Sequence, residues 1–246
     1  MAVLPLAGVH AGDNRVRRAA ISASRNIGVA MKRVPGGTPI VQVVAKRLFR
    51  AELRRLHDVL EETPIAGGYW VWAGLLLGWA REGDVLAHDT SDADFAFRNE
   101  DLERVRESAP ALLAAGFRLV HELYSNDGEL TGFVFERSGI HFDFLKLTQV
   151  EDRYSYYGYF YGVQVGFEIP AQPTEPFELV SRWWLKAKDH DLDLTALYGD
   201  WRTPRLDWRT DRDSPAVVSC APHRIPAIGP GPHQLGNPQP FRRDQS

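Results

Sequence analysis

Two aspartates separated by one residue, Asp92 and Asp94, are the side chains of this sequence best placed for chemistry. They follow a stretch with two glycines and an arginine, Gly74, Gly78 and Arg81, which indicates a glycine-punctuated turn. Residues two apart on an extended segment lie roughly 6.5 Å apart on one face, so both carboxylates can converge on one cation. Mg²⁺ commonly takes one or two protein carboxylates and completes its shell with water and substrate phosphates. The pattern predicts Mg²⁺, or Mn²⁺ in its place, held against a phosphate, and therefore phosphoryl transfer.

A third carboxylate, Asp143, lies further along the chain between two phenylalanines. This alternation predicts a strand, and a strand paired beside Asp92 and Asp94 would bring Asp143 to the same metal. The alternative is that Asp143 marks a strand edge, and an isolated Asp-x-Asp is itself common at solvated strand ends and turns. A calcium loop starting at Asp89 is excluded, because Asp94 stands where that motif needs glycine and its twelfth position lacks glutamate.

Other catalytic signatures are missing from the sequence. It has no Gly-x-Ser-x-Gly elbow, no phosphate loop ending in Gly-Lys-Ser/Thr and no His-Glu-x-x-His. A base for an attacking hydroxyl must therefore come from the groups near the aspartate pair. Asp143 is the first candidate, followed by His88 and His141, whose alternative is an ordinary loop or supporting position. Downstream, Arg202 is within reach of a phosphate if the neighbouring Trp201 packs under the site.

The elements that must position these groups are mixed. Apolar residues at helical spacing predict helices over 41–62 and 101–115. Alternation and turn signals predict strands over 93–97, 117–124, 130–136 and 140–147. The aromatic stretch 154–167 indicates another hairpin, whose aromatic side chains either pack in the core under a loop or form a stacking platform. Residues 176–188 indicate the start of a helix, and 191–198 a short helix ended by glycine. The predicted fold is therefore α+β, a meandering sheet beside helices.

Composition limits the class of protein. The chain has 246 residues, 44% of them hydrophobic and 25% charged, in the ordinary globular range. A formal net charge of -3 and a pI of about 6.2 give no basic footprint for nucleic acid. The single cysteine, Cys220, cannot form an internal disulfide, which favours a cytoplasmic location. No run of about 18 apolar residues predicts a transmembrane helix, and peripheral membrane contact stays open.

The two ends differ in composition from the centre. Residues 1–40 are rich in arginine and poor in acids, and they predict a flexible basic arm. Residues 213–246 are rich in proline and glycine without periodic apolar residues, and they predict a disordered tail without its own core. The folded domain is therefore predicted over 41–212.

Two separated segments resemble a known family. The first is Gly-Leu-Leu-Leu-Gly-Trp-Ala-Arg-Glu-Gly over 74–83, followed by His88-Asp89 and the aspartate pair; the second is Leu-Tyr-Gly-Asp-Trp-Arg-Thr-Pro over 197–204. Both are similar to the LicD and fukutin-related family, a branch of the nucleotidyltransferase superfamily. With Asp143 they span about residues 65–208. The resemblance implies a nucleotidyltransferase-like mixed β-sheet flanked by helices, with disordered tails at both ends.

The resemblance also implies an activity. Such proteins move a phosphorylated small group, such as phosphocholine or a polyol phosphate, from a cytidine diphosphate-linked donor onto a glycan or glycolipid. Carried over to this chain, Asp92, Asp94 and Asp143 bind the metal and act in catalysis. The resemblance implies substrate contacts for the glycines and the arginine of the first segment, Gly74, Gly78 and Arg81. His88 and Arg202 are two further candidates for substrate contacts.

Two departures from the family pattern leave alternatives open. Leu75 stands where relatives often have a small hydroxyl residue, and one extra residue precedes the aspartate pair, so that the role of Asp89 is open. The first hypothesis is the phospho-group transferase, acting on cell-envelope or other glycans. The second is a nucleotidyltransferase that releases pyrophosphate. The third is a non-catalytic domain that binds a nucleotide or glycan.

Overall fold

The computed structural model describes residues 37–86, 89–205 and 207–224. Contacts within the chain define two compact units, 1–45 and 46–246, and all packing below belongs to the second. The basic arm predicted over 1–40 lies outside the described residues except for 37–40, whose backbone is helical. None of the described helices is both long and apolar enough to cross a membrane.

Helices in the described residues confirm both longer helices predicted from the sequence. They are α1 (Gly37–Leu60), α2 (Ala73–Glu82), α3 (Leu102–Ala114, preceded by a 3₁₀ turn Asn99–Asp101), α4 (His190–Tyr198) and α5 (Thr210–Asp213). In α1 the residues Phe49, Leu53, Leu56 and Leu60 are each at most 1% exposed. Their spacing of three or four residues places them on one face of the helix, which packs into the core.

Strands in the described residues form one mixed sheet and one separate hairpin. They are β1 (Tyr69–Val71), β2 (Asp92–Arg98), β3 (Arg118–Tyr124), β4 (Leu130–Arg137), β5 (Ile140–Val150), β6 (Arg153–Phe160), β7 (Val163–Pro170), β8 (Thr174–Leu179), β9 (Arg182–Ala187) and β10 (Val217–Pro222). The sheet runs β1-β2-β5-β6-β7-β10, with β4 also pairing β5 and β3 pairing β4, while β8 and β9 pair with each other. Only β2 and β5 are parallel among the described pairs. The predicted α+β fold with a mixed sheet flanked by helices is confirmed.

Strand β5 contributes side chains to both faces of the sheet. Its alternate residues Phe142 and Phe144 are at most 1% exposed and pack into the core, where Phe144 stacks on Phe95 of β2 with ring centroids 5.1 Å apart. Residues of β5 between these aromatics point to the opposite face of the sheet. Asp143 is therefore presented on the face away from the aromatic core.

The predicted glycine turn at 74–78 is wrong, because these residues lie in α2. The three leucines between the glycines, 75–77, are buried, and their burial outweighs the low helix propensity of glycine, about 1 kcal/mol per residue. The helix ends at Gly83, whose φ of 67° is the left-handed conformation common after a helix. The glycine-rich segment is thus a rigid element of the fold.

The helix predicted to start within 176–188 is also wrong. Strands β8 and β9 form a hairpin there, with Phe177 and Leu179 buried on one face and Glu178 exposed on the other. The turn residues Val180 and Ser181 both have positive φ, 49° and 60°. Neither is glycine or asparagine, so that the sequence carries no recognisable signal for this turn.

The ordered structure extends past 212, where the tail was predicted to begin. Strand β10 pairs antiparallel with β7 and extends the sheet by one strand. Cross-strand pairing gives this segment its order without a periodic apolar pattern of its own. The remainder of the predicted tail, 225–246, lies outside the described residues.

Candidate active site

Three carboxylates converge where β2 and β5 run side by side. Asp94 and Asp143 are direct register partners, and Asp92 lies two residues earlier on β2. Partners on adjacent strands, and residues two apart on one strand, share a face of the sheet. One oxygen from each of the three carboxylates lies within 4.8 Å of the others. The structure thus brings together the acidic triad Asp92, Asp94 and Asp143, in the arrangement that the sequence predicts.

The turn between β1 and α2 folds around Asp94. The Trp72 backbone N–H donates to the Asp94 backbone carbonyl (3.0 Å), and the Gly74 N–H donates to Asp94 Oδ2 (3.2 Å). Ala73 between them has φ 43°, the left-handed region that non-glycine residues rarely adopt. The pairing of β1 with β2 places this turn next to the Asp94 carboxylate. The N-terminus of α2 therefore lies against the acidic triad, with the Gly74 N–H directed at Asp94.

The triad holds more negative charge than its surroundings compensate. Burial, and then the neighbouring carboxylates, raise the pKa of Asp92 and Asp143 well above the ordinary 3.8. Burial and Asp89 raise the pKa of Asp94 to about 7, against the lowering effect of the Gly74 N–H. One buried oxygen each of Asp92 and Asp143 has no hydrogen-bond partner. Such oxygens need a proton or a cation, since a lone buried charge is costly.

This donor set fits a hard divalent cation. All three ligands are carboxylate oxygens, which Mg²⁺ and Mn²⁺ accept, and the set offers no sulfur ligand. Asp89 lies beside the triad: a Cβ added at Gly74 would sit 3.4 Å from an oxygen of Asp89 and equally far from Asp94. The absence of a side chain at Gly74 keeps the space next to these two carboxylates open.

A cavity of about 740 Å³ opens above the triad. This volume is typical of a site for a small-molecule ligand or cofactor. Its wall comprises the triad and these further residues, among others: Trp72, Gly74, Arg81, Asp89, His121, His141, Tyr156, Phe160, Phe167, Tyr198, Trp201, Arg205 and His223. Acidic and basic side chains thus share one cavity with a large aromatic surface.

Gly78 and Arg81, the other candidate residues of the first segment, differ in whether they line the cavity. Gly78 does not line the cavity; a Cβ there would lie 2.9 Å from the backbone nitrogen of Leu86, so Gly78 lets the following loop pack on α2. Arg81 does line the cavity. Its Nε donates to the Trp201 carbonyl at 2.6 Å and its terminal nitrogen to the Thr203 carbonyl at 3.4 Å. Arg81 thereby joins the two segments on which the family resemblance rests.

Arg202 is turned away from the triad. Its guanidinium pairs with Asp191 at 2.6 Å, lies 4.4 Å above the Trp201 ring, and is absent from the cavity wall. His88 lies outside the described residues. His141 is the register partner of Asp92 and lines the cavity, while Leu75 is buried in the core and does not.

Sequence reasoning missed most of the aromatic wall and one histidine. Tyr156 and Phe167 come from the stretch that predicted a hairpin with either core packing or a stacking platform, and no spacing rule distinguishes a core aromatic from one facing a cavity. His121 stands in an ordinary strand pattern without a motif. Tyr198 belongs to the second matching segment, and burial, then Asp94 and Asp89, raise its pKa well above the ordinary 10.

The match to a protein-family model agrees with the resemblance seen in the sequence. Residues 68–182 match the family model LicD/FKTN/FKRP, nucleotidyltransferase domain. A solved structure, ANT(2")-Ia in complex with adenylyl-2"-tobramycin, has 18% sequence identity and a TM-score of 0.30. That match covers 42% of this chain and 54%, about half, of the other. A comparison with curated protein sequences gives no significant match.

Proposed function

We propose that the protein is a metal-dependent transferase of phosphorylated small groups, in keeping with the match of residues 68–182 to the model LicD/FKTN/FKRP, nucleotidyltransferase domain. It moves a phosphocholine- or polyol-phosphate-like group from a nucleotide diphosphate donor, cytidine diphosphate-linked in the favoured case, onto a glycan or glycolipid hydroxyl. The observation that carries the proposal is the acidic triad, three carboxylates within 4.8 Å at the wall of a ligand-sized cavity.

The cofactor in this proposal is Mg²⁺ or Mn²⁺, held by Asp92, Asp94 and Asp143. A bound divalent cation would neutralise charge on the donor phosphates and so lower the barrier to in-line displacement at phosphorus. The unpartnered oxygens of Asp92 and Asp143 support this assignment, because a cation would satisfy both. Asp89 is close enough to add negative charge to the site and is the candidate for a fourth ligand.

The remaining residues of the site position the reactants. The N-terminus of α2 lies beside the triad, where the Gly74 N–H donates to Asp94, and a helix N-terminus favours phosphate oxygens. Arg81 adds positive charge to the cavity wall and holds the 201–203 backbone against α2. In the displacement, the acceptor oxygen bonds to phosphorus, the bond from phosphorus to the nucleoside monophosphate oxygen breaks, and the hydroxyl proton passes to a base. Asp143 is the first candidate for that base, and His141 is the second.

Release of CMP from a cytidine diphosphate-linked donor tests the proposal. Asp94→Asn keeps the size of the side chain and an oxygen that can accept from the Gly74 N–H, but removes the charge. We expect this variant to lose Mg²⁺-dependent CMP release while keeping its circular dichroism spectrum. Asp127→Asn is the matched control, since Asp127 is an exposed turn residue. Equal turnover in wild type and Asp94→Asn would contradict the proposal.

Nucleotidyl transfer is the second candidate function, favoured by the description of the matching domain. Here the nucleoside monophosphate joins the acceptor and pyrophosphate leaves. Nucleoside triphosphates labelled at the α-phosphate separate the two reactions: label in the acceptor product supports nucleotidyl transfer. The non-catalytic alternative rested on Leu75, whose side chain packs in the core and leaves the acidic triad in place. Nucleotide binding that is independent of metal, without turnover of any donor, would support that alternative.

A further inference from the structure

A buried acidic side chain of α4 lies close to the turn that joins β1 to α2. Asp193 is only 3% exposed, and its Oδ2 atom has no hydrogen-bond partner among the described residues. Burial raises the pKa of this carboxyl group from 3.8 to about 7. Asp193 does not line the large cavity and is not one of the three carboxylates of the acidic triad. The metal site therefore does not account for this carboxylate, although a buried acceptor without a partner is costly.

The donor next to Asp193 is the indole of Trp72. Trp72 is 1% exposed, and its Nε1 atom likewise has no hydrogen-bond partner in the part of the chain that the structure describes. The Trp72 side chain is near enough to lower the pKa of Asp193 against the effect of burial. An indole N–H can only donate, and an ionised carboxylate can only accept. Each group supplies what the other lacks, and a small shift of either side chain joins them.

Trp72 belongs to the turn that lies against the triad. Its backbone N–H donates to the Asp94 carbonyl at 3.0 Å, and its own carbonyl accepts from the Leu76 N–H at 3.2 Å, at the start of α2. Ala73 follows with φ 43°, and the Gly74 N–H then donates to Asp94 Oδ2 at 3.2 Å. A non-glycine residue keeps such a φ only where its surroundings hold it. The anchoring of Trp72 therefore bears on the direction of the Gly74 N–H.

Aromatic contacts alone do not fix the direction of the indole N–H. The Trp72 ring packs edge-on against Tyr156, with centroids 4.7 Å apart and planes at 79°. Burial, then Tyr198, Asp193 and Asp94, raise the pKa of Tyr156 well above the ordinary 10. Asp193 and Asp94 are thus both within electrostatic reach of the ring that packs on Trp72. Ring packing is weakly directional, whereas a hydrogen bond prefers a nearly straight N–H to oxygen alignment.

On the basis of the metal site in the proposed function, we propose that Asp193 is a positioning residue. It accepts a hydrogen bond from the Trp72 indole and thereby holds the 72–74 turn against the acidic triad. The Gly74 N–H then stays directed at Asp94, and the triad keeps the arrangement that a cation requires. Asp193 contacts neither the cation nor the substrate and acts only through Trp72, as residues behind metal ligands commonly do.

Nuclear magnetic resonance of the full chain, labelled with ¹⁵N in its tryptophans, tests the contact without metal or substrate. The indole N–H signal of Trp72 is identified by its loss in Trp72→Phe. Asp193→Leu has a similar size and no acceptor, so it should shift this signal, while Asp193→Asn, whose amide oxygen can accept, should keep it near the wild-type position. Leu194→Ala is the matched control, because Leu194 is a core residue of the same helix that does not line the cavity. An unchanged Trp72 signal in Asp193→Leu would overturn the proposal.

Mn²⁺ affinity, followed by electron paramagnetic resonance, tests the consequence for the triad. Asp193→Leu and Trp72→Phe should each weaken Mn²⁺ binding about tenfold. The double variant should bind no more weakly than either single variant, because both changes remove the same hydrogen bond. Asp193→Asn should keep most of the affinity. Leu194→Ala should lower the melting temperature and leave Mn²⁺ affinity at the wild-type value, which separates positioning from a general loss of stability.

The outcomes distinguish this role from the proposed function. Wild-type Mn²⁺ affinity in Asp193→Leu, or additive weakening in the double variant, would overturn the positioning role. The proposed function would survive that result if Asp94→Asn still abolished Mn²⁺ binding and turnover. A wild type that binds no Mn²⁺ would remove the metal site, and with it this role of Asp193.

Discussion

Replacing Asp94 by asparagine should stabilise the metal-free protein while removing its response to metal. Asp94 is crowded by Asp89, and burial and this neighbour raise its pKa from 3.8 to about 7. A carboxyl group whose pKa is raised on folding binds protons more tightly in the folded state, so ionising it costs folding free energy. The cost is absent below the unfolded pKa of 3.8, grows as pH rises towards 7, and is complete above 7. Asparagine cannot ionise, so the Asp94→Asn variant avoids this cost in folding free energy.

The magnitude follows from the same pKa. A rise from 3.8 to about 7 corresponds to about 4 kcal/mol of unfolding free energy. Asp94 is partly exposed to the cavity, and solvent screening together with proton sharing among the carboxylates reduces the gain to about 2 kcal/mol. For a chain of this size that gain is about 4–8 °C in melting temperature. The Gly74 N–H contact survives, since the amide oxygen of asparagine can accept it.

Thermal denaturation at pH 5 and pH 8, in EDTA and in Mg²⁺, measures this effect. In EDTA the advantage of Asp94→Asn over wild type should be larger at pH 8 than at pH 5. In Mg²⁺ the wild type should gain stability, because a ligand that binds only the folded state stabilises it, and the variant should gain little. Asp127→Asn should follow wild type in all four conditions. An Asp94→Asn protein that is less stable than wild type in EDTA at pH 8 would refute the reasoning.

Three further substitutions have distinct expected outcomes. Gly74→Val places methyl groups against Asp89 and Asp94 and should lower CMP release about 100-fold; a steady-state assay that shows wild-type turnover would contradict this. Arg81→Ala removes the donors to the Trp201 and Thr203 carbonyls and should make residues 199–205 more sensitive to limited proteolysis than in wild type. Leu53→Ala, at a core position that is 0% exposed, should cost about 2–5 kcal/mol in urea denaturation without changing turnover per folded molecule.

The acidic triad could be predicted from the sequence because two strong rules meet there. Residues two apart on a strand share a face, which places Asp92 beside Asp94. The alternation around Asp143 indicates a strand with one aromatic face, and pairing then brings its carboxylate to the same edge. Both rules are local, whereas the parallel pairing of β2 with β5 that joins their results is a long-range contact. The helix α1 could be predicted for the same reason, since its apolar spacing is local.

The rest of the site depends on contacts that the sequence does not encode locally. The two glycines of the segment from Gly74 to Gly78 indicate a turn when the sequence is considered alone. The segment is helical because the leucines between them are buried in the core. The hairpin β8–β9 turns through Val180 and Ser181, neither of which favours the positive φ found there. The cavity is lined by residues from strands far apart in the sequence, so that His121 of β3 and Phe160 of β6 line one cavity only through long-range pairing.

Binding of Mn²⁺ to the full chain, followed by electron paramagnetic resonance, tests the central claim most directly, because it reports the metal site without any substrate. The account predicts one saturable Mn²⁺ site per chain, competed by Mg²⁺, lost in Asp94→Asn and Asp143→Asn and retained in Asp127→Asn. Undiminished Mn²⁺ binding in both triad variants, or no saturable site in the wild type, would contradict the assignment of Asp92, Asp94 and Asp143 as a metal centre.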